Sequence, residues 1–118
     1  MDNFKPVLGI LGGLALYEPD FMDSWEPIHV DTPYGKVQYL YKGKIDGKDV
    51  LFWRRWFWNG EICPPTALYK MQRAAMYAFK QLGCQHVVVH DGAGSINPDY
   101  ELGDFVLLED FIDFTAKN

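Results

Sequence analysis

Two glycine-rich segments follow apolar runs and are the parts of this sequence best suited to bind a ligand. Gly12–Gly13 follows the run Val7–Leu11, and Asp91–Ser95 follows the β-branched run His86–His90. A short apolar run that ends in glycines predicts a buried strand and a tight loop. Glycine lets backbone N–H groups approach an anion closely. Because ligands bind beyond the carboxyl ends of strands in α/β sheets, we expect both loops at a binding site.

A cationic and aromatic segment, Lys48–Trp58, is the second feature that could do chemistry. Its Arg55, beside Arg54, is either an anion ligand or a surface residue that contacts an aromatic ring. Tryptophans 53, 56 and 58 could stack on a base, but such clusters more often form a core or a subunit interface. We therefore treat Trp53, Trp56 and Trp58 as interface candidates.

The elements that must position these residues begin with a hairpin and a helix. Asp46-Gly47 predicts a two-residue turn between a strand at Val37–Ile45 and a return strand at Lys48–Trp58. Pro64-Pro65-Thr66 predicts the start of a helix, with Thr66 as its cap, and Gly83 predicts its end. Apolar residues recur between these points at steps of three and four.

The C-terminal third completes an α/β pattern. His86–His90 predicts a fully buried strand, Phe105–Leu108 another strand, and Glu109–Thr115 a short strand or an ordered loop. The order β, β-hairpin, α, β, β predicts a single α/β domain over residues 1–118 with a mixed β-sheet.

Composition limits the functional classes. The chain has 118 residues, of which 48% are hydrophobic, so it is not disordered. Its net charge of −5 argues against nucleic-acid binding. No apolar stretch reaches the roughly 20 residues of a membrane span, and the start does not resemble a signal peptide, so we expect a cytoplasmic protein. Cys63 and Cys84 lack the spacing of a metal site.

The sequence resembles the N-terminal half of the purine nucleoside phosphorylase superfamily, and its methylthioadenosine phosphorylase branch most closely. Val7–Tyr17 and Asp31–Lys36 carry the resemblance, and Gly94–Ile96 and Gly103–Thr115 continue it in order. Enzymes of this family split the N-glycosidic bond of a purine nucleoside with phosphate, as trimers or hexamers. The resemblance implies that family's fold, no metal or organic cofactor, and a purine nucleoside or nucleobase as ligand.

The resemblance also implies a relict phosphate site at Gly12, Gly13 and Arg55. The family's first loop reads Gly-Gly-Thr/Ser-Gly and its hydroxyl contacts phosphate, whereas this chain has Leu14-Ala15 after the glycines. Of the family's Arg-His-Gly element only Arg55 remains. If Asp91 lies about 4 Å from the anion, repulsion is about 4 kcal/mol at an effective dielectric of about 20. A competent phosphate site is therefore not expected.

The second glycine loop supplies the other candidate site residues. Asp91 is either a turn or cap residue or a functional carboxylate that binds a ribose hydroxyl or activates water. Gly92, Gly94 and Ser95 are candidate nucleoside-binding residues, although Ser95 lacks the GxSxG context of a nucleophile. His86 and His90 are expected to be satisfied core or rim histidines.

Three functions remain open. The first is a nucleoside- or nucleobase-binding or assembly protein without a phosphate site. The second is a phosphorylase or hydrolytic nucleosidase for methylthioadenosine-like nucleosides, completed by another subunit. The third is a purely structural role. Because half a family domain would expose apolar faces and strand edges, we expect a homo-oligomer or assembly with a full-length family partner.

Overall fold

A five-stranded mixed sheet is the centre of the fold in this computed structural model, which describes residues 3–13, 16, 18–55, 57–58, 61–62 and 65–114. A single-turn 3₁₀ helix at Pro19–Phe21 precedes the second strand. The strands and the helix, in chain order, are β1 (Leu8–Leu11), β2 (Ser24–Thr32), β3 (Gly35–Ile45), β4 (Lys48–Trp53), β5 (Phe57–Trp58), β6 (Glu61–Ile62), α1 (Pro65–Gln81) and β7 (Val87–Val89). The predicted α/β class with a mixed sheet is confirmed.

Strand β1 lies inside the sheet, whose order is β2-β3-β4-β1-β7, while β5 and β6 form a separate ribbon. β3 is antiparallel to both β2 and β4, whereas β1 runs parallel to both β4 and β7. Gly12 N donates to Trp53 O at 3.0 Å, and His90 N donates to Leu11 O at 2.9 Å. The carboxyl ends of these three parallel strands therefore meet at one edge of the sheet.

Side chains that alternate along β1 and β4 fill two hydrophobic clusters, one on each face of the sheet. Helix α1 covers the first face. Its three alanines and one phenylalanine pack against Trp53 and the other buried residues of this cluster: Ala74, Ala75, Ala78 and Phe79. The other face holds Ile10, Met22, Tyr41, Val50 and Phe52. The parallel strand β1 is thus covered on both sides, as parallel strands require.

The predicted hairpin turn and helix end are confirmed. Asp46 and Gly47 have φ values of 51° and 75°, which a type I′ turn needs. Gly83, with φ of 88°, ends α1 in a Schellman motif, because Cys84 N donates to Phe79 O and Gly83 N to Lys80 O. The helix begins at Pro65, so Thr66 lies inside its first turn rather than before it.

The predicted return strand to Trp58 is too long, because β4 ends at Trp53. The last paired residues are Leu40 and Trp53. Tyr39, next in β3, has φ of 58°, which turns its backbone away from the extended conformation. Arg54 and Arg55 therefore leave the strand at the edge where the glycine loops lie.

Two predictions about the C-terminal third are wrong. His86–His90 is not a fully buried strand: β7 is at the sheet edge, and Val88 and Val89 are 51% and 55% exposed. Phe105–Leu108 is not a strand, and residues 91–114 are exposed without helix or strand. A β-branched pattern becomes a buried strand only where a neighbouring strand pairs with it, and the described residues supply none beyond β7.

Candidate functional site

The structure brings Gly12, Gly13, Arg55 and Asp91 together at the carboxyl edge of β4, β1 and β7. A Cβ added to Gly13 would lie 2.7 Å from His90 O and 3.2 Å from Asp91 Oδ1. A Cβ added to Gly12 would collide with Leu16 O and the Phe52 ring. Both glycines are therefore required by the close packing of the loop itself, in addition to any anion they would admit.

The centre of this edge is an ion pair between Arg55 and Asp91. Arg55 is only 7% exposed, and its Nη2 atom lies 3.0 Å from Asp91 Oδ2 and donates to His90 O at 3.4 Å. The other oxygen, Asp91 Oδ1, accepts a hydrogen bond from Gly92 N at 2.9 Å. A buried guanidinium needs a counter-charge, and the chain supplies it through Asp91.

The neighbouring arginine, Arg54, makes the contact with an aromatic ring that the sequence left open for Arg55. Arg54 Nη2 lies 3.3 Å from Glu18 Oε1, and its guanidinium lies over the Tyr39 ring at 5.7 Å from the centroid. Sequence reasoning missed Glu18 and Tyr39, because neither belongs to a motif. The sequence indicated the separate position of Arg54 only through the adjacent pair Arg54-Arg55, because neighbouring side chains in an extended segment point in opposite directions.

His90 contributes to the site through its backbone. Its N–H holds β7 to β1 and its carbonyl oxygen accepts from Arg55. Its Nδ1 atom is buried and has no hydrogen-bond partner in the described part of the chain. The expected satisfied histidine is therefore not seen at this position.

Gly92, Gly94 and Ser95 follow the ion pair in a stretch that is exposed to solvent. A Cβ at Gly92 or Gly94 would meet nothing within 4 Å, and Ser95 Oγ donates to Asn97 O at 2.8 Å. All three residues are exposed. The described residues thus place Asp91 at the arginine and leave the rest of the second loop open to solvent.

Trp53 has the core role rather than the interface role. Its side chain is fully buried, and its Nε1 donates to Gln38 O at 3.1 Å. It therefore offers no surface to another subunit. Trp56 and the side chain of Trp58 lie outside the described residues, as does Cys63.

The described residues include no group of three or more His, Cys, Asp or Glu side chains placed to hold a metal ion. Within the same ranges, no helix has the length and apolarity to cross a membrane. Cys84 is a free cysteine; partial burial raises the pKa of its thiol, although its hydrogen bond to His86 O acts in the opposite direction.

The fold and this edge define an α/β protein whose glycine loops meet a buried arginine beyond parallel strands. Within that class, the chain belongs to the phosphorylase superfamily, which matches residues 7–118. It is 40% identical over 116 residues to the S-methyl-5'-thioadenosine phosphorylase of Saccharolobus solfataricus, and 37% identical over 116 residues to that of Danio rerio. The resemblance to this family is therefore confirmed.

Solved structures agree with the sequence matches. The methylthioadenosine phosphorylase from Schistosoma mansoni in complex with adenine aligns with a TM-score of 0.60 and 29% identity, over 72% of this chain and 30% of that one. The Saccharolobus and Danio proteins are matched over 98% of this chain but only 42% and 40% of their own lengths. The chain thus spans about two fifths of the curated relatives it matches.

Proposed function

We propose that this chain is a relative of the methylthioadenosine phosphorylases that binds a purine nucleoside or nucleobase and has no competent phosphate site. The observation that carries the proposal is the ion pair between Arg55 and Asp91, 3.0 Å long. The one cationic side chain that the family resemblance assigns to phosphate already has an anionic partner within the chain.

Electrostatics explains why this partner excludes phosphate. An incoming anion must either displace the Asp91 carboxylate or bind beside it. At a separation of about 4 Å, each unit of negative charge is repelled by about 4 kcal/mol at an effective dielectric of about 20. Because solvent screens Asp91, whose side chain is 58% exposed, this value is an upper bound, and it corresponds to a loss of at most roughly a thousandfold in affinity. The backbone N–H groups of one glycine loop do not offset such a loss.

The proposed ligand class comes from the relatives. Those named above act on S-methyl-5'-thioadenosine, and the Schistosoma protein was solved with adenine. Asp91 is 58% exposed on its side chain, so it remains accessible to a ribose hydroxyl even while it is paired with Arg55. We therefore place the nucleoside at the open side of Asp91, near Gly92, Gly94 and Ser95.

A hydrolytic nucleosidase, completed by another subunit, is the second candidate, because the same exposure gives water access to Asp91. Against it, Arg55 and Gly92 N already occupy one oxygen each of the carboxylate. The binding function needs no change in these contacts, so we favour it over the hydrolytic one.

Self-association in the cytoplasm completes the proposal. The open edge of β7 and the exposed apolar residues after it are surfaces that a second chain would cover. The same surfaces would also accept a full-length family partner.

Thermal shift with adenine, methylthioadenosine and inorganic phosphate tests the proposal, since a ligand of the native state raises the melting temperature. The wild-type protein should respond to a purine ligand and not to phosphate. Asp91→Asn should gain a response to phosphate, because it leaves Arg55 charged and removes the repulsion. Asp99→Asn, which removes an exposed carboxylate elsewhere, should not.

Two outcomes would contradict this function. A phosphate response of the wild type equal to that of Asp91→Asn would show that the ion pair does not block the anion. Release of free base without phosphate, abolished by Asp91→Asn, would establish the nucleosidase instead.

A further inference from the structure

Two ion pairs at the carboxyl edge of the parallel strands have the same orientation, with the arginine inside and the carboxylate outside. The Arg54 side chain is 16% exposed, and that of its partner Glu18 is 52% exposed. The Arg55 side chain is 8% exposed, and that of its partner Asp91 is 58% exposed. Because Arg54 and Arg55 are consecutive residues just beyond β4, both carboxylates lie beside the end of that strand.

Further contacts hold both guanidinium groups on the inner side. The Arg54 guanidinium lies over the Tyr39 ring, 5.7 Å from its centroid, and Arg54 N donates to Tyr39 O at 2.9 Å. Tyr39 has φ of 58°, a strained value for a large side chain, and strain of this kind is concentrated at functional sites. Arg55 Nη2 donates to His90 O at 3.4 Å. Turning either guanidinium outward would break these contacts, so the fold fixes the orientation of both pairs.

An ion pair of this orientation acts on a ligand as a dipole whose negative end faces solvent. A charged group outside the edge is nearer to the carboxylate than to the guanidinium, and Coulomb energy falls with distance. For a cation, attraction by the carboxylate therefore exceeds repulsion by the guanidinium, and the reverse holds for an anion. The chain's net charge of −5 has the same sign as this field.

We propose that the carboxyl edge prefers a purine nucleoside with a cationic group on its ribose, and that Glu18 and Asp91 determine this preference. The inference rests on the proposed binding function, which places the ribose at the open side of Asp91, and it adds the charge of the favoured ligand. A protonated amine also donates hydrogen bonds, and each half-exposed carboxylate retains acceptor positions outside its ion pair.

Isothermal titration calorimetry of the full chain with three probes measures the preference: adenosine, 5'-amino-5'-deoxyadenosine and adenosine 5'-monophosphate. At neutral pH, the ribose substituent is uncharged in the first, cationic in the second and roughly doubly anionic in the third. Solvent screens both carboxylates, so each unit of ligand charge should change the affinity about fivefold at low salt. The wild type should therefore bind the amine roughly a hundredfold more tightly than the monophosphate, with adenosine between them.

Glu18→Gln and Asp91→Asn should each lower the ratio of these two affinities about tenfold, because each removes one of the two carboxylates. High salt should lower the ratio for the wild type. Circular dichroism confirms that each variant is folded. If Asp91→Asn is too unstable to titrate, Glu18→Gln still provides the test, since Glu18 is half-exposed.

Glu26→Gln is the matched control. Glu26 is 63% exposed and pairs at 3.1 Å with the less exposed Lys42, so this pair has the same orientation. It lies away from the carboxyl edge, because Lys42 is opposite Leu51 in the middle of β4. Glu26→Gln should therefore keep the wild-type ratio.

A wild type that binds none of the three probes would overturn the proposed function and this inference with it. Binding of adenosine with a ratio near one, or a ratio that Glu18→Gln and Asp91→Asn both leave unchanged, would overturn the charge preference alone. An effect of Glu26→Gln equal to that of Glu18→Gln would do the same, since it would assign the preference to the charge of the whole chain.

Discussion

The ion pair between Arg55 and Asp91 crosses the carboxyl end of β1. Arg55 follows β4 and Asp91 follows β7, and these strands flank β1 on opposite sides. The pair therefore lies beside the first glycine loop, since a Cβ added to Gly13 would be 3.2 Å from Asp91 Oδ1. This one contact thus links the ends of β4 and β7, and it neutralises the Arg55 guanidinium.

A double-mutant cycle should show that this pair stabilises the fold. Asp91→Asn leaves the buried Arg55 without its counter-charge, so we expect a loss of about 1–2 kcal/mol in the free energy of unfolding, reduced from fully buried pairs because solvent screens Asp91. Arg55→Met/Asp91→Asn should recover part of the loss. Urea denaturation measures the free energy of unfolding of Asp91→Asn, Arg55→Met and the double variant. If the effects of the two single substitutions add up to the effect of the double variant, the residues are not coupled.

Gly13→Ala should destabilise the protein by about 1–3 kcal/mol, because the new methyl group would meet the His90 carbonyl, a backbone atom that cannot move independently of β7. Gly92→Ala is the matched control in the neighbouring loop. Its Cβ would meet nothing within 4 Å, so its melting temperature should match that of the wild type. Equal melting temperatures for all three proteins would contradict the close packing described for Gly13.

Lowering the pH should remove the small contribution that the Asp49 carboxylate makes to the free energy of unfolding. A hydrogen bond from Lys44 Nζ at 2.6 Å, and a second from Lys5 N, lower the pKa of this carboxyl below its ordinary value. The folded state therefore binds the proton less tightly than the unfolded state. The contribution is complete above the unfolded pKa, about 4, and is lost as pH falls through the lower folded pKa.

In Asp49→Asn, the free energy of unfolding should therefore fall less steeply as the pH is lowered than it does in the wild type. Urea midpoints measured from neutral pH down to strongly acidic pH should differ between wild type and variant at neutral pH and converge in acid. Asp31→Asn, which removes an exposed carboxylate of β2, provides the reference. A constant difference at every pH would assign the effect of Asp49→Asn to packing instead.

The amino-acid sequence by itself determined the local features. The Asp46-Gly47 turn and the end of α1 at Gly83 depend on φ values that glycine, with no Cβ, adopts at little cost. The family resemblance also came from sequence alone, since short motifs in a fixed order carry it. These features involve neighbouring residues, so the chain encodes them without reference to distant contacts.

The ionic partner of Arg55 and the exposure of β7 at the sheet edge are visible only in the tertiary structure. The side chain that neutralises Arg55 comes from a strand two positions away in the sheet, and no spacing in the sequence shows that Asp91 reaches it. The same limit explains His86–His90 and Phe105–Leu108, which have strand-like composition. Whether such a segment is buried depends on a neighbouring strand and a covering layer, and these are supplied by residues far away in the chain or by another chain.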